Sequence, residues 1–326
     1  MSSELASRLI QRDRLLRQIR CFFHERGFIE VQPPCLSRDC VVDAFLDPIS
    51  IPRSEIGLAV GGGAEDFSSD RYFLQTSPES AMKRLLADGA PSVFAIVPVF
   101  RRAEIGVRHN VEFTMLEWYE VGGNAASAIE LLGRLAQTVF ETDRFETVSY
   151  LDAFVRVLDL DPVTCAVEQL GDRVAEIDAG LAESMAGDRD ALLDVLISHH
   201  VEPTLGQTVP AILTRYPVTQ AALARPCADD PRFAERFELF YRGMELANGY
   251  DELLDADELV RRFEINNATR RQNGRDPLPT QTTLVGAMRK GLPKCSGVAV
   301  GVDRLAMLQC GAAHIREVAP LTIDVA

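Results

Sequence analysis

The sequence lacks the features that mark secreted and membrane-spanning proteins. Its seven cysteines form no CxxC pair, and their odd number and irregular spacing suit reduced thiols in a cytosol. No apolar run reaches the roughly 18 residues that a membrane-spanning helix needs, and the N-terminus has no signal-peptide core. A formal net charge of −14 disfavours non-specific binding to nucleic acid or an anionic membrane. We therefore predict a cytoplasmic location and no membrane attachment.

The composition is that of a globular protein with a large core. Of the 326 residues, 47% are hydrophobic and 25% are charged. No repeat, low-complexity linker or break in composition divides the chain, so we predict one domain over residues 1–326. Strand-like segments alternate irregularly with helical ones, without a regular βαβ order. This pattern predicts an α+β fold with a mixed or mostly antiparallel sheet.

Local patterns place the main elements. Apolar residues at helical spacing predict a long first helix that ends at Gly27. A second helix is predicted from Ser77, with Ser77 as N-cap and Pro78 in the first turn. The polar stretch from Ile51 to Ser69, with three glycines at 61–63, predicts a loop. The predicted strands cover residues 28–31, 71–76, 92–100, 112–121, 210–217 and 236–250, and the segment 125–200 is predicted to be helical.

One charged segment lies between two predicted strands. FRRAEIGVRHNVEFTMLEWYE, residues 100–120, holds three arginines, one histidine and four glutamates. Two interpretations are open. The segment is either a solvated hairpin, or its charges converge on a ligand that is itself charged.

Three segments in order identify a family. RGFIEVQPP (26–34) resembles motif one of the class II aminoacyl-tRNA synthetases, FR…RHNVEFTMLEWY (100–119) resembles motif two, and GVAVGVDRL (297–305) resembles motif three. The segment GMELANGYDEL (243–253) is similar to the equivalent in the lysine subgroup. The resemblance implies a class II catalytic domain, with a mostly antiparallel sheet flanked by helices. It also implies a homodimer built on the first motif.

The resemblance points to a particular branch of that subgroup. Lysyl-tRNA synthetases carry an N-terminal barrel that reads the anticodon, and this sequence begins almost at the first motif. It is similar to the free-standing relatives that activate lysine or (R)-β-lysine with ATP and attach it to a lysine side chain of elongation factor P. The resemblance implies an aminoacyl-adenylate intermediate, elongation factor P as protein substrate, and no stable tRNA binding.

Three other functions stay open at this point. The chain could be a minimal lysyl-tRNA synthetase, which would charge tRNA without reading the anticodon. It could be a catalytically silent paralogue that binds lysine. It could also be an adenylating amide synthetase of the asparagine type, although an acidic pocket disfavours that function.

The resemblance assigns residues to ATP. Arg101 would grip the α-phosphate and the substrate carboxylate with its planar fork, and Arg304 would lie over the γ-phosphate, so both are candidate catalytic residues. The alternative for Arg101 is a surface charge, and the alternative for His109 is a residue that caps its own turn. The implied ATP set comprises Arg101, Glu104, His109 (near the β- and γ-phosphates), Asn110, Phe113 (stacked on adenine), Glu245, Leu246, Gly301 and Arg304.

Two glutamates match the metal ligands of the family. Glu245 and Glu252 lie seven residues apart, on either side of an Ala-Asn-Gly sequence. The resemblance implies that they bind Mg²⁺. Mg²⁺ keeps most of its waters, so two carboxylates and ATP oxygens suffice. The alternative is a pair of exposed strand glutamates.

The implied lysine pocket is acidic. Carboxylates suit a substrate with two ammonium groups, each of which needs a charged partner when desolvated. By resemblance, Glu79 serves the amine near the carboxylate, while Glu117 and Tyr119 serve the far amine. Glu79 could instead be an acidic residue at a helix N-terminus. The full implied lysine set is Ser77, Pro78, Glu79, Glu117, Tyr119, Glu252 and Ala299.

The sequence departs from the family pattern at two positions. Ala103 stands where motif two has a glutamate, with Glu104 next to it, so the adenine amine would be bound by backbone or by Glu104. Ala299 stands where lysyl-tRNA synthetases have glycine, and its methyl group would favour a β-amino acid.

An arginine-rich segment, 261–275, carries five positive charges. It is either a solvated helix face or a docking surface for an acidic partner. In the second case, reversing the charges of Arg270 and Arg271 would weaken transfer and spare adenylate formation.

Overall fold

The computed structural model describes residues 2–57, 70–319 and 321–326, with side chains from residue 6 onward. The chain divides into two compact units, residues 1–123 with 253–326 and residues 124–252. The single domain predicted above stays a prediction. Residues 58–69 of the predicted loop lie outside the described part.

The elements follow the predicted order except at two places. The predicted strand 236–250 is two antiparallel strands, Phe233–Tyr241 and Met244–Asp251, and the segment 125–200 predicted to be helical contains a strand, Glu146–Ser149. The first unit begins with α1 (Ser2–His24), β1 (Ile29–Glu30), β2 (Leu36–Ser37), β3 (Ser50–Pro52), β4 (Arg71–Leu74), α2 (Glu79–Ala87), β5 (Val93–Phe100) and β6 (Glu112–Val121). The second unit contains α3 (Ala125–Phe140), β7 (Glu146–Ser149), α4 (Tyr150–Leu158), α5 (Val167–Ala175), α6 (Ala179–Ser184), α7 (Arg189–Leu196), β8 (Ala211–Pro217), β9 (Phe233–Tyr241) and β10 (Met244–Asp251). The first unit ends with α8 (Ala256–Gln272), α9 (Thr283–Gly291), β11 (Cys295–Gly301) and α10 (Val302–Cys310).

In the first unit, four strands pair in the order β1-β5-β6-β11. The β1–β5 pair is parallel, and the β5–β6 and β6–β11 pairs are antiparallel. One face of this sheet packs on α1, where the Phe23 ring lies 4.9 Å from Phe94 and 5.0 Å from Trp118. Trp118 points to that face. Because side chains alternate along a strand, its neighbours Glu117 and Tyr119 point to the opposite face.

In the second unit, β10, β9 and β8 are antiparallel and β7 pairs parallel with β8. Its core joins α4, α5 and α7 to the strands through buried residues such as Phe154, Leu193 and Phe240. The pairings are mostly antiparallel in both units, and helices pack on the strands. The predicted α+β class with a mostly antiparallel sheet flanked by helices is therefore confirmed. Within the described residues, no helix combines the length and the apolar composition that crossing a membrane requires.

The first helix ends at His24, three residues before the predicted Gly27, and the N-cap of the second helix is one residue later than predicted. Gly27 has a φ of +80°, the left-handed geometry that follows a helix end. The second helix begins at Glu79, and Pro78 rather than Ser77 occupies the N-cap position. The Ser77 hydroxyl still accepts a hydrogen bond from the Glu79 backbone N–H, at 3.0 Å. Ser77 thus supports the helix start from one residue further out.

The arginine-rich segment is not a continuous basic face. Arg270 is only 2% exposed and donates from its guanidinium to the Asp47 carboxylate at 2.7 Å. It also donates to the backbone carbonyl oxygens of Asp43, Leu46 and Asp276. The docking hypothesis is therefore wrong for Arg270, because its guanidinium is buried within its own unit and is paired with Asp47.

We expect Arg270→Met to destabilise the protein by about 3 kcal/mol, because removing one partner of a buried pair leaves the other polar groups unsatisfied. Urea denaturation of the purified variant measures the loss. Arg271→Met is the matched control, since Arg271 is exposed on the same helix and should change stability by no more than about 0.5 kcal/mol. Equal effects at both positions would contradict the structural role of Arg270.

Candidate active site

The predicted lysine-pocket residues of the first unit lie together at the start of α2 and on the face of β6 opposite the core. The Glu117 carboxylate accepts a hydrogen bond from the Tyr119 hydroxyl at 2.6 Å and another from the Ser77 hydroxyl at 2.7 Å. Glu117 is 2% exposed. A buried carboxylate held by two hydroxyl donors is oriented for a cationic ligand.

Burial, and after it the nearby Glu79 carboxylate, raise the pKa of Glu117 to about 7 from an ordinary value of 4.5. The hydrogen bonds from Tyr119 and Ser77 and the charge of Lys83 act in the opposite direction. Desolvation outweighs these stabilising contacts. A bound ammonium group would supply the charge that lets Glu117 ionise fully.

Glu79 already has a cationic partner in the same unit. Its carboxylate lies 2.6 Å from the Lys83 ammonium, one turn further along α2. Both residues are buried, and Pro78 before them is buried as well. The sequence analysis did not identify Lys83, although its spacing of four residues from Glu79 on a helix was a usable signal.

Register places Ala299 beside the pocket. On β11, Ala299 pairs with Glu117 of β6, and on the other side Ala95 of β5 pairs with the same residue. Cross-strand partners share a face of the sheet. The Ala299 methyl group therefore lies next to the Glu117 side chain, and its effect on the choice between lysine and a β-amino acid stays a prediction.

Arg101 follows β5 and reaches the pocket face of β6. Its guanidinium carbon is 5.1 Å from the centre of the Phe113 ring, and a guanidinium nitrogen is 3.7 Å from the Glu104 carboxylate. Within the described residues, the buried Arg101 Nε has no hydrogen-bond partner. Since buried polar groups are nearly always paired, this atom fits an anionic ligand such as a phosphate or carboxylate of the substrates.

The loop between β5 and β6 reaches motif three through His109. The Arg304 guanidinium donates to His109 Nε2 at 2.8 Å. Desolvation lowers the pKa of His109, and the Arg304 charge lowers it further, so the imidazole is neutral at pH 7 and its Nε2 can accept. The two residues that the resemblance assigns to the ATP phosphates are in direct contact.

Other predicted ATP residues shape this loop and its surroundings. The Asn110 side-chain amide donates to the Glu112 carbonyl oxygen at 2.7 Å, which fixes the loop end. Gly301 precedes α10, and a Cβ at this position would make only an ordinary van der Waals contact with the Arg304 Cδ, at 3.5 Å. Ala103 adopts a φ of +62° and is exposed, while Glu104 beside it is half-buried.

Asp303, which the sequence analysis also missed, anchors motif three to motif two. Its carboxylate lies 2.6 Å from the Arg12 guanidinium of α1 and accepts from the Thr114 backbone N–H at 2.7 Å. Arg12 also donates to the Thr114 hydroxyl at 2.7 Å. These contacts join α1, β6 and α10 and fix the helix that carries Arg304.

In the second unit, a β-bulge brings the two predicted metal ligands to one face. Glu245 pairs with Phe240 of β9, but Ala247 pairs with Leu239, so Leu246 is the extra residue. A bulge shifts the alternation by one residue, and it places Glu245, Asn248 and Glu252 on the same face. Leu246 is buried, as is Glu252.

The donor set on this face suits Mg²⁺. In the part of the chain that the structure describes, no group of three or more His, Cys, Asp or Glu side chains could hold a metal ion by itself. The buried Asn248 Oδ1 has no hydrogen-bond partner among the described residues. Two carboxylates and a free amide oxygen are hard ligands that fit a partly hydrated Mg²⁺, and the sequence analysis did not single out Asn248.

Comparison with known proteins gives a consistent result. The family model described as tRNA synthetases class II (D, K and N) matches residues 1–324. The chain is 42% identical over 316 residues to the elongation factor P–(R)-beta-lysine ligase of Klebsiella pneumoniae (strain 342), which covers 97% of this chain and 95% of the relative. It is 42% identical over 312 residues to the protein of that name in Pseudoalteromonas translucida, covering 95% and 93%. It is 41% identical over 310 residues to the one in Yersinia enterocolitica, again covering 95% and 93%.

These similarities extend over nearly the whole of both chains, and they confirm the relationship that the three sequence motifs predicted. The chain belongs to the class II tRNA synthetase family (D, K and N).

Proposed function

We propose that this chain uses ATP to activate (R)-β-lysine, or lysine, as an aminoacyl-adenylate and transfers it to a lysine side chain of elongation factor P. The observation that carries the proposal is the buried Glu117 carboxylate, held by Ser77 and Tyr119 and flanked by Ala299. This pocket fits a terminal ammonium group. The acceptor is the one named in the similar proteins, which are elongation factor P–(R)-beta-lysine ligases.

In the activation step, a carboxylate oxygen of the amino acid forms a bond to the α-phosphorus of ATP, and the bond from that phosphorus to the pyrophosphate oxygen breaks. Two anions must approach each other, so positive charge at the reacting phosphate lowers the barrier. Arg101, whose buried Nε has no hydrogen-bond partner among the described residues, would bind both anions. Arg304 and neutral His109 would hold the leaving phosphates.

Mg²⁺ would be held by Glu245 and Glu252, with Asn248 on the same face of β10. When bound, it would neutralise phosphate charge. Phe113 would supply a flat surface for adenine, and half-buried Glu104 is the available carboxylate for the adenine amine, because Ala103 has no polar side chain.

In the transfer step, the amine of the acceptor lysine attacks the carbonyl carbon of the adenylate. A C–N bond forms, the bond to the AMP oxygen breaks, and the amine releases a proton. The adenylate is already activated, so positioning the acceptor supplies most of the acceleration.

The proposal extends to assembly and location. A homodimer through the first motif and the absence of stable tRNA binding follow from the same resemblance, and a cytoplasmic location follows from the cysteine pattern and the composition. Light scattering of the purified protein tests the first, and fractionation of the native host tests the second. A gel-shift assay with lysine tRNA tests the third.

Intact-mass analysis of elongation factor P tests the function itself. Purified factor is incubated with this protein and Mg-ATP, together with (R)-β-lysine, lysine or neither. We expect the mass of one lysyl residue to be added, most with β-lysine, and nothing without ATP. Charging of tRNA with no change in the factor would instead establish the minimal synthetase, which the family match also allows. No product and no pyrophosphate exchange would establish the silent paralogue.

We expect Ala299→Gly to improve the use of lysine relative to (R)-β-lysine by about tenfold, since one methyl group in a pocket discriminates by roughly 1–3 kcal/mol. The ratio of kcat/KM for the two substrates in pyrophosphate exchange measures the effect.

Ala95→Gly is the matched control, because Ala95 flanks Glu117 from the other neighbouring strand. It removes the same methyl group beside the same carboxylate. An unchanged ratio in Ala299→Gly, or an equal change in both variants, would contradict the selective role of Ala299.

A further inference from the structure

One buried carboxylate joins the first turns of two helices in the first unit. Asp39 lies just after β2 and is 5% exposed. It accepts a hydrogen bond from the Ser80 hydroxyl of α2 at 2.9 Å. At the start of α9 it accepts from the backbone N–H groups of Thr283, at 3.0 Å, and Leu284, at 3.2 Å, and from the Thr283 hydroxyl. Asp39 therefore cross-links α2 and α9.

The turn of α2 that Asp39 holds is the one that borders the predicted lysine pocket. Ser80 follows Glu79, the first residue of α2, and the Ser77 hydroxyl just before the helix donates to Glu117 of β6 at 2.7 Å. The first turn is thus attached to β6 through Ser77 and to α9 through Asp39. These two attachments fix the backbone that carries the Glu79 side chain.

We propose that Asp39 is a positioning residue that acts through Ser80 to fix the first turn of α2, and so sets the selectivity of the pocket between lysine and (R)-β-lysine. This inference rests on the proposed function, in which Glu79 serves the amine nearer the substrate carboxylate. The two substrates carry that amine on adjacent carbon atoms, about 1.5 Å apart. Glu79 can distinguish these positions only if its own position is fixed as closely, because a displacement of about 1 Å already changes rates by up to about a hundredfold.

A role in stability alone would also account for a carboxylate at this place. Negative charge at a helix N-terminus stabilises the helix, and Thr282 completes the cap of α9 by accepting from the Val285 N–H at 3.2 Å. That explanation predicts that losing a contact to either helix lowers stability and leaves the choice of substrate unchanged. The ratio of activities toward two substrates separates the explanations, because unfolding removes both activities equally.

Removing one contact at a time tests the proposal. Ser80→Ala removes the contact of Asp39 with α2, and the matched control Thr283→Val removes a hydroxyl contact of the same carboxylate with α9. Pyrophosphate exchange gives kcat/KM for lysine and for (R)-β-lysine, and the KM for ATP. In Ser80→Ala, we expect the ratio of the two kcat/KM values to move toward one by at least about fivefold, with the KM for ATP unchanged within about twofold. Thr283→Val should keep the wild-type ratio.

Further variants identify the group responsible. Ser80→Thr keeps the hydroxyl and should keep the wild-type ratio. Asp39→Asn should move the ratio as Ser80→Ala does, because an amide has a single acceptor oxygen in place of two. Combining the two substitutions should move it no further, since both remove the same contact. Should Asp39→Asn fail to fold, the comparison of Ser80→Ala with Ser80→Thr and Thr283→Val still decides the outcome.

Three results would overturn the role of Asp39: an unchanged ratio in Ser80→Ala, an equal change in Thr283→Val or Ser80→Thr, or a wild-type ratio already near one. If the wild-type protein exchanges pyrophosphate with neither lysine nor (R)-β-lysine, the proposed function fails and this inference fails with it. Exchange by the wild type, with the same ratio in Ser80→Ala, contradicts only the positioning role.

Discussion

Glu117→Gln should lower lysine activation by about a thousandfold, because the terminal ammonium group would lose a buried charged partner, a change that costs 2–5 kcal/mol in comparable pairs. Glutamine has the same shape and can keep hydrogen bonds to Ser77 and Tyr119. The loss is therefore one of charge and not of packing. Lysine-dependent pyrophosphate exchange measures it, with nucleotide affinity determined in parallel.

The same substitution should stabilise the folded protein at high pH. The folded-state pKa of Glu117 is raised to about 7 from 4.5, so the native state binds the proton more tightly than the unfolded state does. The stability that this group contributes is present below pH 4.5 and is lost as the pH rises through 7. Glutamine does not titrate. The free energy of unfolding of Glu117→Gln, relative to that of the wild type, should therefore increase by about 2–3 kcal/mol when the pH is raised from 5 to 8.

Urea denaturation at both pH values checks this gain. Glu112→Gln is the matched control, because Glu112 is exposed on the same strand and should show no such difference.

In the wild type, the apparent KM for lysine should rise by up to about tenfold for each pH unit below 7, since ammonium binding then displaces a proton from Glu117. A variant that keeps its activity, or a wild-type KM that is flat from pH 8 to pH 6, would contradict the role of Glu117.

The sequence was sufficient for the parts of the site that depend on local pattern. Phe113, Glu117 and Tyr119 lie an even number of residues apart, so strand alternation puts them on one face, as the structure has them. The family motifs supplied the expected roles of Arg101 and Arg304, which spacing alone did not distinguish from surface charges.

Other parts depend on register and long-range contacts. The bulge at Leu246 decides that Glu245 and Glu252 share a face, since without it residues seven apart would point to opposite faces. Arg270 has the sequence context of a solvated helix, but its guanidinium is buried and donates to the carboxylate of Asp47, which lies more than 200 residues earlier in the chain. Single-sequence pattern carries no information on such partners. The neighbourhood of Ala299 and Glu117 likewise follows from the pairing of β6 with β11.

Arg101→Lys should lower the rate of pyrophosphate exchange by about 10⁴-fold, within the range that loss of a phosphate-binding arginine causes in phosphoryl transfer. Lysine keeps the positive charge but not the planar fork that binds two oxygens at once. It also lacks the buried Nε, which has no hydrogen-bond partner in the part of the chain that the structure describes, and it loses the guanidinium plane near Phe113. The charge alone would therefore fail to rescue activity.

Arg102→Lys is the matched control, since Arg102 is the next residue in the same segment and is exposed. It should retain activity within about twofold, as surface changes usually do. Because Arg101 would bind both the reacting phosphate and the substrate carboxylate, its loss should lower kcat and also raise the KM for lysine, whereas Glu117→Gln acts through recognition of the terminal ammonium group. Activity of Arg101→Lys within tenfold of the wild type would show that charge without geometry suffices. The unpaired Nε would then have no part in catalysis.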